Sequence, residues 1–245
     1  MGTTADPRRL LWDACYNVRD LGGFPIDGAR TTRWGAIVRS DNICRLTRHG
    51  RQALVRYGIR CVIDLRSPDE LAIETDPFSR GDMDEVAYLN APLMTAEFLG
   101  LYDAGLNQLF EIVLLQHCRS AVAELLTAIA VCPPGGVLVY CHAGQERTGI
   151  ASALLLALAG VPSEVIADEY ARSDEYLEPL HAAWIAARPA EDREAMAKSL
   201  RLPPARMVAT LDYIDEAYGG IAEYLRSTGI DERDIARVRE RLVTK

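Results

Sequence analysis

The segment VLVYCHAGQERTGIASALLLALAG, residues 137–160, constrains this chain more tightly than any other. Its β-branched opening reads as a buried strand that stops at Cys141. A short Gly-containing loop then runs to Arg147, and a long apolar helical pattern follows. That pattern is apolar on most of its faces, so the helix must lie near the centre of the fold. A buried strand feeding a buried helix is the βα unit of a parallel sheet covered on both sides. Ligands of such sheets bind beyond the carboxyl ends of strands, and Cys141 stands at such an end.

The remaining segments extend this reading. NVRDLGGFPI reads as a strand ending in a Gly-Gly turn, and RWGAIVRS as a second strand. Thr47 caps a helix over RHGRQALVRY, which Gly58 ends. IRCVIDLR is a buried strand and VAYLNAPL another short one, while residues 106–131 carry apolar positions at helical spacing. Pro133 to Gly136 break the chain before the strand at 137. Beyond the loop, helices are expected over IASALLLALAG, SEVIADEYARS, 176–200, PARMVATLDYIDEAYGG and IAEYLRSTG. A last one starts at Asp231, with Ile235, Val238 and Leu242 on one face. No repeat, low-complexity tract or linker divides the chain. The expectation is therefore one α/β domain over residues 1–245: a mainly parallel central sheet flanked by helices, with a helical C-terminal third.

Charge and cysteine usage narrow the function. Lys+Arg 27 against Asp+Glu 35 gives a net charge of −8, which offers no general attraction to nucleic acid or to anionic membranes. An anionic substrate would have to be held by a local site, and neither nucleic acid nor stable membrane association is expected. No apolar run reaches the roughly 18 residues of a membrane span. The start, MGTTADPRRLLWDACYNVRD, has no apolar h-region, so a cytoplasmic location is expected, with export by a non-classical route left open. Cys15, Cys44, Cys61, Cys118 and Cys132 form no CxxC pair and read as small buried hydrophobes. No second Cys/His pair accompanies Cys141-His142 at ligand spacing, so neither a metal nor a cofactor is expected.

CHAGQERTG has its own chemistry. Backbone N–H groups at a helix N-terminus point outward and favour negative charge. If the loop curls, the amides of His142, Ala143, Gly144, Gln145 and onward to Arg147 make a nest for a tetrahedral oxyanion, and Gly144 permits the curl. Arg147 can close the ring with a planar fork on two phosphate oxygens. The same field can bring a cysteine thiol from about 8.5 into the range of roughly 3.5–7.5. Cys141 would then attack a bound phosphate monoester and form a cysteinyl-phosphate that water hydrolyses, with Thr148 hydrogen-bonding the leaving sulfur. Glu146, in the loop, and Asp64, ending the strand CVID, are both candidates for the acid that protonates the leaving group.

C-x5-R-[ST] between a strand and a helix resembles the signature of the protein tyrosine phosphatase superfamily. NVRDLGG, GAIVRSDNICRLTRHGRQAL, YGIRCVIDLRSPDE, CHAGQERTG, DEYARS and YIDEAYGGIAEYLRSTGIDERDIARVRERL resemble its bacterial tyrosine and lipid phosphatase branch across most of the chain. The resemblance implies a phosphatase fold with Cys141 as nucleophile, Arg147 as phosphate clamp, and Asp64 and Glu146 as acid/base candidates. It also implies a mobile helical lid over 174–206, and inorganic phosphate as a ligand of the loop. Arg19, Asp20, Arg66 and Arg172 are candidate substrate contacts, and Arg19 and Asp20 are also candidate supports of the loop.

Three departures matter. Tyr140 stands where the superfamily usually has His, and Gln145 and Glu146 stand where the branch usually has Lys and Asp. Loss of the lysine charge favours a singly phosphorylated tyrosine or small metabolite over a polyphosphorylated lipid. The competing readings are a small-molecule nucleotide or sugar phosphatase, a catalytically silent phosphate-binding module, and a sulfurtransferase of the rhodanese kind.

Overall fold

The computed structural model describes residues 6–81, 85–103, 105 and 108–243. Its strands are β1 (Arg19–Asp20), β2 (Ile37–Ser40), β3 (Ile59–Asp64), β4 (Ala87–Asn90) and β5 (Gly136–Tyr140). They form one sheet in the order β1-β2-β5-β3-β4. Only the β1–β2 pair is antiparallel; β2–β5, β5–β3 and β3–β4 are parallel. β5, the strand that feeds the loop, lies in the middle and is buried along its whole length.

Helices cover both faces. α1 (Arg48–Tyr57) starts at a Thr47 side chain that accepts from the Gly50 amide, and it ends at Gly58 in the left-handed region, as the sequence predicts. α2 (Pro68–Ile73) opens on a capping box between Ser67 and Glu70, and α3 spans Ala96–Asp103. The helical pattern at 106–131 resolves into α4 (Phe110–His117) and α5 (Arg119–Val131), bent by 83° at Cys118; its first two positions lie outside the described residues. After β5 come α6 (Glu146–Ala159), α7 (Ser163–Tyr176) and α8 (Glu178–Ala186). Pro189 interrupts the helix expected over 176–200, leaving α8, one 3-10 turn and α9 (Arg193–Ser199). α10 (Pro204–Tyr218), α11 (Ile221–Ser227) and α12 (Glu232–Leu242) complete the chain. Among the described residues no single helix is long and apolar enough to cross a membrane.

The period-2 alternation of β5 separates two cores. Val137, Val139 and Cys141 face the larger one, built with α4–α7 and α10–α12. Leu138 and Tyr140 face the smaller one, with Val38, Val62, Leu54 and Trp12. Cys61 and Cys132, expected as separate core thiols, are both buried but pair as a disulfide with their Cα atoms 6.0 Å apart. Spacing along the chain could not reveal this pairing, because β3 and the end of α5 meet only in the folded state.

α6 is buried on nearly every side, and its fit against α7 is tight. A Cβ built on Gly149 would lie 2.5 Å from Cε2 of Tyr170, whose hydroxyl donates to Glu111 and so fixes the ring. Alanine in a helix gains about 1 kcal/mol over glycine, but overpacking a filled core costs about 1–3 kcal/mol. Gly149→Ala should therefore lower the urea midpoint of unfolding; a raised midpoint would show that the α6–α7 contact is looser than described.

Candidate active site

The chain leaves β5 at Tyr140, and Cys141 follows with 2% of its surface exposed. Gln145 occupies the N-cap of α6 without making a side-chain capping bond, and the first helical bond runs from the Gly149 amide to the Gln145 carbonyl at 2.6 Å. The amides at the start of α6 thus keep the outward orientation of uncapped N-terminal donors, next to the cysteine.

The curl of the loop depends on Gly144. Its φ is +68°, and a Cβ there would lie 2.6 Å from the Ser40 carbonyl oxygen and 2.7 Å from the Asp41 nitrogen. The close approach is held by hydrogen bonds. Asn17 Nδ2 and Arg39 Nη2 donate to the Gly144 carbonyl at 2.9 and 2.6 Å, and the Asn42 amide donates to the His142 carbonyl at 3.1 Å. Asn17 is fixed in turn: its own amide, like that of Tyr16, donates to the buried Asp41 carboxylate.

Arg147, at the second position of α6, makes a bidentate pair with Glu70: Nη1 to Oε2 is 2.6 Å and Nη2 to Oε1 is 2.8 Å. Burial works to raise the Glu70 carboxyl, but the hydrogen bonds and charge of Arg147, with the Ser67 amide, take it down to about 2. Arg147 itself is held up against burial by Cys141 and Glu70. Thr148 Oγ1 is buried without a hydrogen-bond partner, leaving an unspent donor or acceptor next to the loop.

The two acid candidates occupy different environments. Glu146, first in α6, has its carboxyl raised by burial, with Glu111 adding to the effect and Arg206 and Arg147 opposing it. Asp64 is enclosed at 0% exposure. It accepts from the Arg66 amide and from Arg66 Nε and Nη2, and also from the hydroxyls of Tyr88 and Tyr140. Its strand does neighbour β5, as the acid assignment requires, but the carboxylate turns into the sheet's smaller core and is consumed there.

The remaining sequence-derived candidates divide similarly. Arg66 is buried, holding Asp64, the Glu74 carbonyl and the Tyr140 hydroxyl. Asp20 is buried and accepts from the amides of Gly22 and Gly35 and the hydroxyl of Tyr57. Arg19 is buried against Glu169. The three expected as substrate contacts are therefore turned inward, because each has a complete set of protein partners. Arg172 is 41% exposed and lies 3.6 Å from Asp6.

Ala143 is half-buried; His142 is exposed at its edge, but its ring is covered on one face by Trp184 of α8, stacked at 6.3 Å and 16°. Burial, with Arg45 adding, lowers the His142 pKa. Gln145 turns away from the mouth to donate to the Leu200 carbonyl at 3.1 Å, so the segment expected as a lid touches the loop at both ends. Between them lies a cavity of about 450 Å³ lined by His142, Trp184, Ala187, Arg188 and Met196.

Among the residues of this arrangement not singled out from the sequence are Asn17, Arg39, Glu70 and Glu169. Each lies inside one of the quoted family segments. Glu70 also had a readable signal, the S-x-x-E capping box in SPDE.

A sequence model of the tyrosine phosphatase family matches residues 10–244. A tyrosine-protein phosphatase of Nostoc commune is 34% identical over 220 aligned residues, covering 84% of this chain and 74% of that protein. The triple specificity protein phosphatase PtpB of Mycobacterium tuberculosis is 29% identical over 272 aligned positions, covering 91% and 95%.

Two predictions follow from the geometry of the carboxylates. Breaking a buried ion pair costs about 3–5 kcal/mol, so Asp64→Asn should sharply lower the melting temperature; an unchanged value would return Asp64 to the list of free acids. Glu70 is depressed on folding, so its stabilising contribution is full above the unfolded value of 4.5 and fades as pH falls towards about 2. Glu70→Gln should therefore flatten the loss of stability across that window in acid unfolding curves. Parallel curves for the two proteins would contradict the pairing.

Proposed function

This chain belongs to the tyrosine phosphatase family, and on that premise we propose that it hydrolyses phosphate monoesters through a covalent intermediate on Cys141. Its class, a phosphoric monoester hydrolase, goes with the family. The observation that carries the finer reading is the loop itself. A cysteine directly follows the central strand, six positions before Arg147 on an uncapped helix N-terminus and in electrostatic reach of that guanidinium, and the Gly144 carbonyl of the loop between them is fastened by Arg39.

In the proposed reaction the loop amides and Arg147 hold the three non-bridging oxygens of the ester. The Cys141 sulfur attacks phosphorus as the bond to the leaving oxygen breaks. Glu146 gives its proton to that oxygen; its raised carboxyl supports this role, whereas Asp64 is already committed to Arg66 and two tyrosines. A water then attacks the phosphorus of the S–P bond, the Glu146 carboxylate takes the water's proton, and sulfur leaves as thiolate. Thr148 Oγ1, otherwise unpartnered, is the group we assign to stabilise that leaving sulfur.

The Trp184 and His142 rings and Met196 at the loop's margin favour an aryl or similarly flat group on the phosphate. The aryl ester of a singly phosphorylated tyrosine fits this better than a polyphosphorylated lipid, since Gln145 brings no charge to the mouth.

The test is turnover of p-nitrophenyl phosphate in EDTA, which Cys141→Ser should abolish; full activity in that variant would sink the reading. Glu146→Gln should lose most on alkyl phosphates, whose leaving groups need the proton, and least on p-nitrophenyl phosphate. Equal losses on both would remove Glu146 from the acid's role.

A further inference from the structure

The reaction outlined above makes no use of a charged cluster under the loop. Arg19 and Arg39 are directly opposite each other in the antiparallel β1–β2 pair, at 0% and 1% exposure. Like charges in that position repel, and a buried charge is costly without a counter-ion. One carboxylate serves both: Glu169 Oε1 is 2.8 Å from Arg19 Nε and 3.4 Å from Arg39 Nη1. The other partners are uncharged. Arg19 donates to Asn17 Oδ1, the Glu169 carbonyl and Ser173 Oγ, and Arg39 to the Gly144 carbonyl and Ser173 Oγ.

Two guanidinium groups and one carboxylate leave one positive charge unmatched. Burial lowers the Arg39 pKa to about 9, with Arg19 adding to the effect, so Arg39 remains charged at neutral pH. The acidic groups that act on Arg39 are Glu169, Cys141 and Tyr170. Tyr170 is raised by burial and donates its hydroxyl to Glu111, so it stays neutral. Arg147 of α6, which interacts electrostatically with Cys141, is already matched by Glu70. Arg39 of β2 reaches the same loop through the Gly144 carbonyl and also interacts electrostatically with Cys141. The donor Nε of Arg39 is also buried without a partner.

Resting on the reading of Cys141 as nucleophile, we propose that Arg39 is the positioning residue whose buried positive charge is balanced by the Cys141 thiolate. The Arg19–Arg39–Glu169 cluster becomes neutral when the sulfur is anionic. It supplies from β2 the positive charge that a histidine before the nucleophile would have contributed and that Tyr140, turned to the opposite face of the sheet, does not. Arg39 has a second task in the same place, since its Nη2 also fastens the Gly144 carbonyl.

The experiment is alkylation by iodoacetamide, followed on the peptide carrying Cys141 so that Cys15, Cys44 and Cys118 do not contribute. It needs no turnover. At pH about 6.5, Arg39→Met should slow alkylation at least about tenfold, while the rate at high pH, where any thiol is ionised, stays near that of the parent. Arg39→Lys, which keeps the charge, should recover most of the loss. Glu169→Gln separates charge from structure: removing the carboxylate makes the cluster more positive, so alkylation at the lower pH should match or exceed the parent.

An unchanged rate in Arg39→Met, or an equal fall in both Arg39→Met and Glu169→Gln, would overturn the proposal. Should Arg39→Met not fold, Arg39→Lys and Glu169→Gln still decide it by the same signs. Parallel assays of the parent on p-nitrophenyl phosphate separate the two readings. Absence of turnover alongside the expected alkylation pattern sinks the phosphatase mechanism and leaves the charge balance standing.

Discussion

The Gly144 carbonyl is where the loop and the sheet are joined, and the rest of the site is arranged around that junction. Two buried donors, Asn17 Nδ2 and Arg39 Nη2, converge on this one oxygen from separate segments. To receive them the loop must press its backbone against Ser40 and Asp41, which leaves no room for a side chain at 144. With that carbonyl fastened, the chain passes through Gln145 directly into the uncapped start of α6. Asn17 is itself held by Asp41, and Arg39 by Glu169 and Ser173, so α7, far along the chain, helps to shape the loop.

Alternation along β5 divides the work between neighbouring residues. Cys141 is on the side of the large core, while Tyr140 is on the other side, between Asp64, Asp76 and Arg66. The tyrosine therefore belongs to a buried polar knot that joins β3, β5 and the segment after α2. In sequence, Tyr140 showed only as a departure from the usual His. In the fold it ties the sheet together, its hydroxyl bonded to Asp64, Asp76 and Arg66.

Much of this was legible beforehand because it depends on local chemistry. The Thr47 and Gly58 caps, the buried β5 strand and the all-round apolar α6 each follow from a few adjacent residues. So did the position of Cys141 and Arg147 on the two sides of a strand–helix turn. What escaped depends on tertiary contacts. The break of the 106–131 pattern at Cys118 left its apolar spacing intact, and Cys61 and Cys132 meet only when α5 packs under β3. Asp64 stood as an acid candidate because sequence places it at the right sheet edge but does not say which face its carboxylate takes. Arg39 and Glu169 lay in recognised segments yet looked like ordinary charged residues, since their burial comes from elements on both sides.

The central claim is that phosphate passes through the sulfur of Cys141. Its most direct test is rapid acid quenching during turnover of an aryl phosphate, followed by mass spectrometry of the digested protein. The account predicts a phosphoryl group on the peptide that carries Cys141, attached at sulfur and absent when the substrate is omitted. Steady turnover with no such adduct, or with the phosphoryl group on another residue, would contradict it.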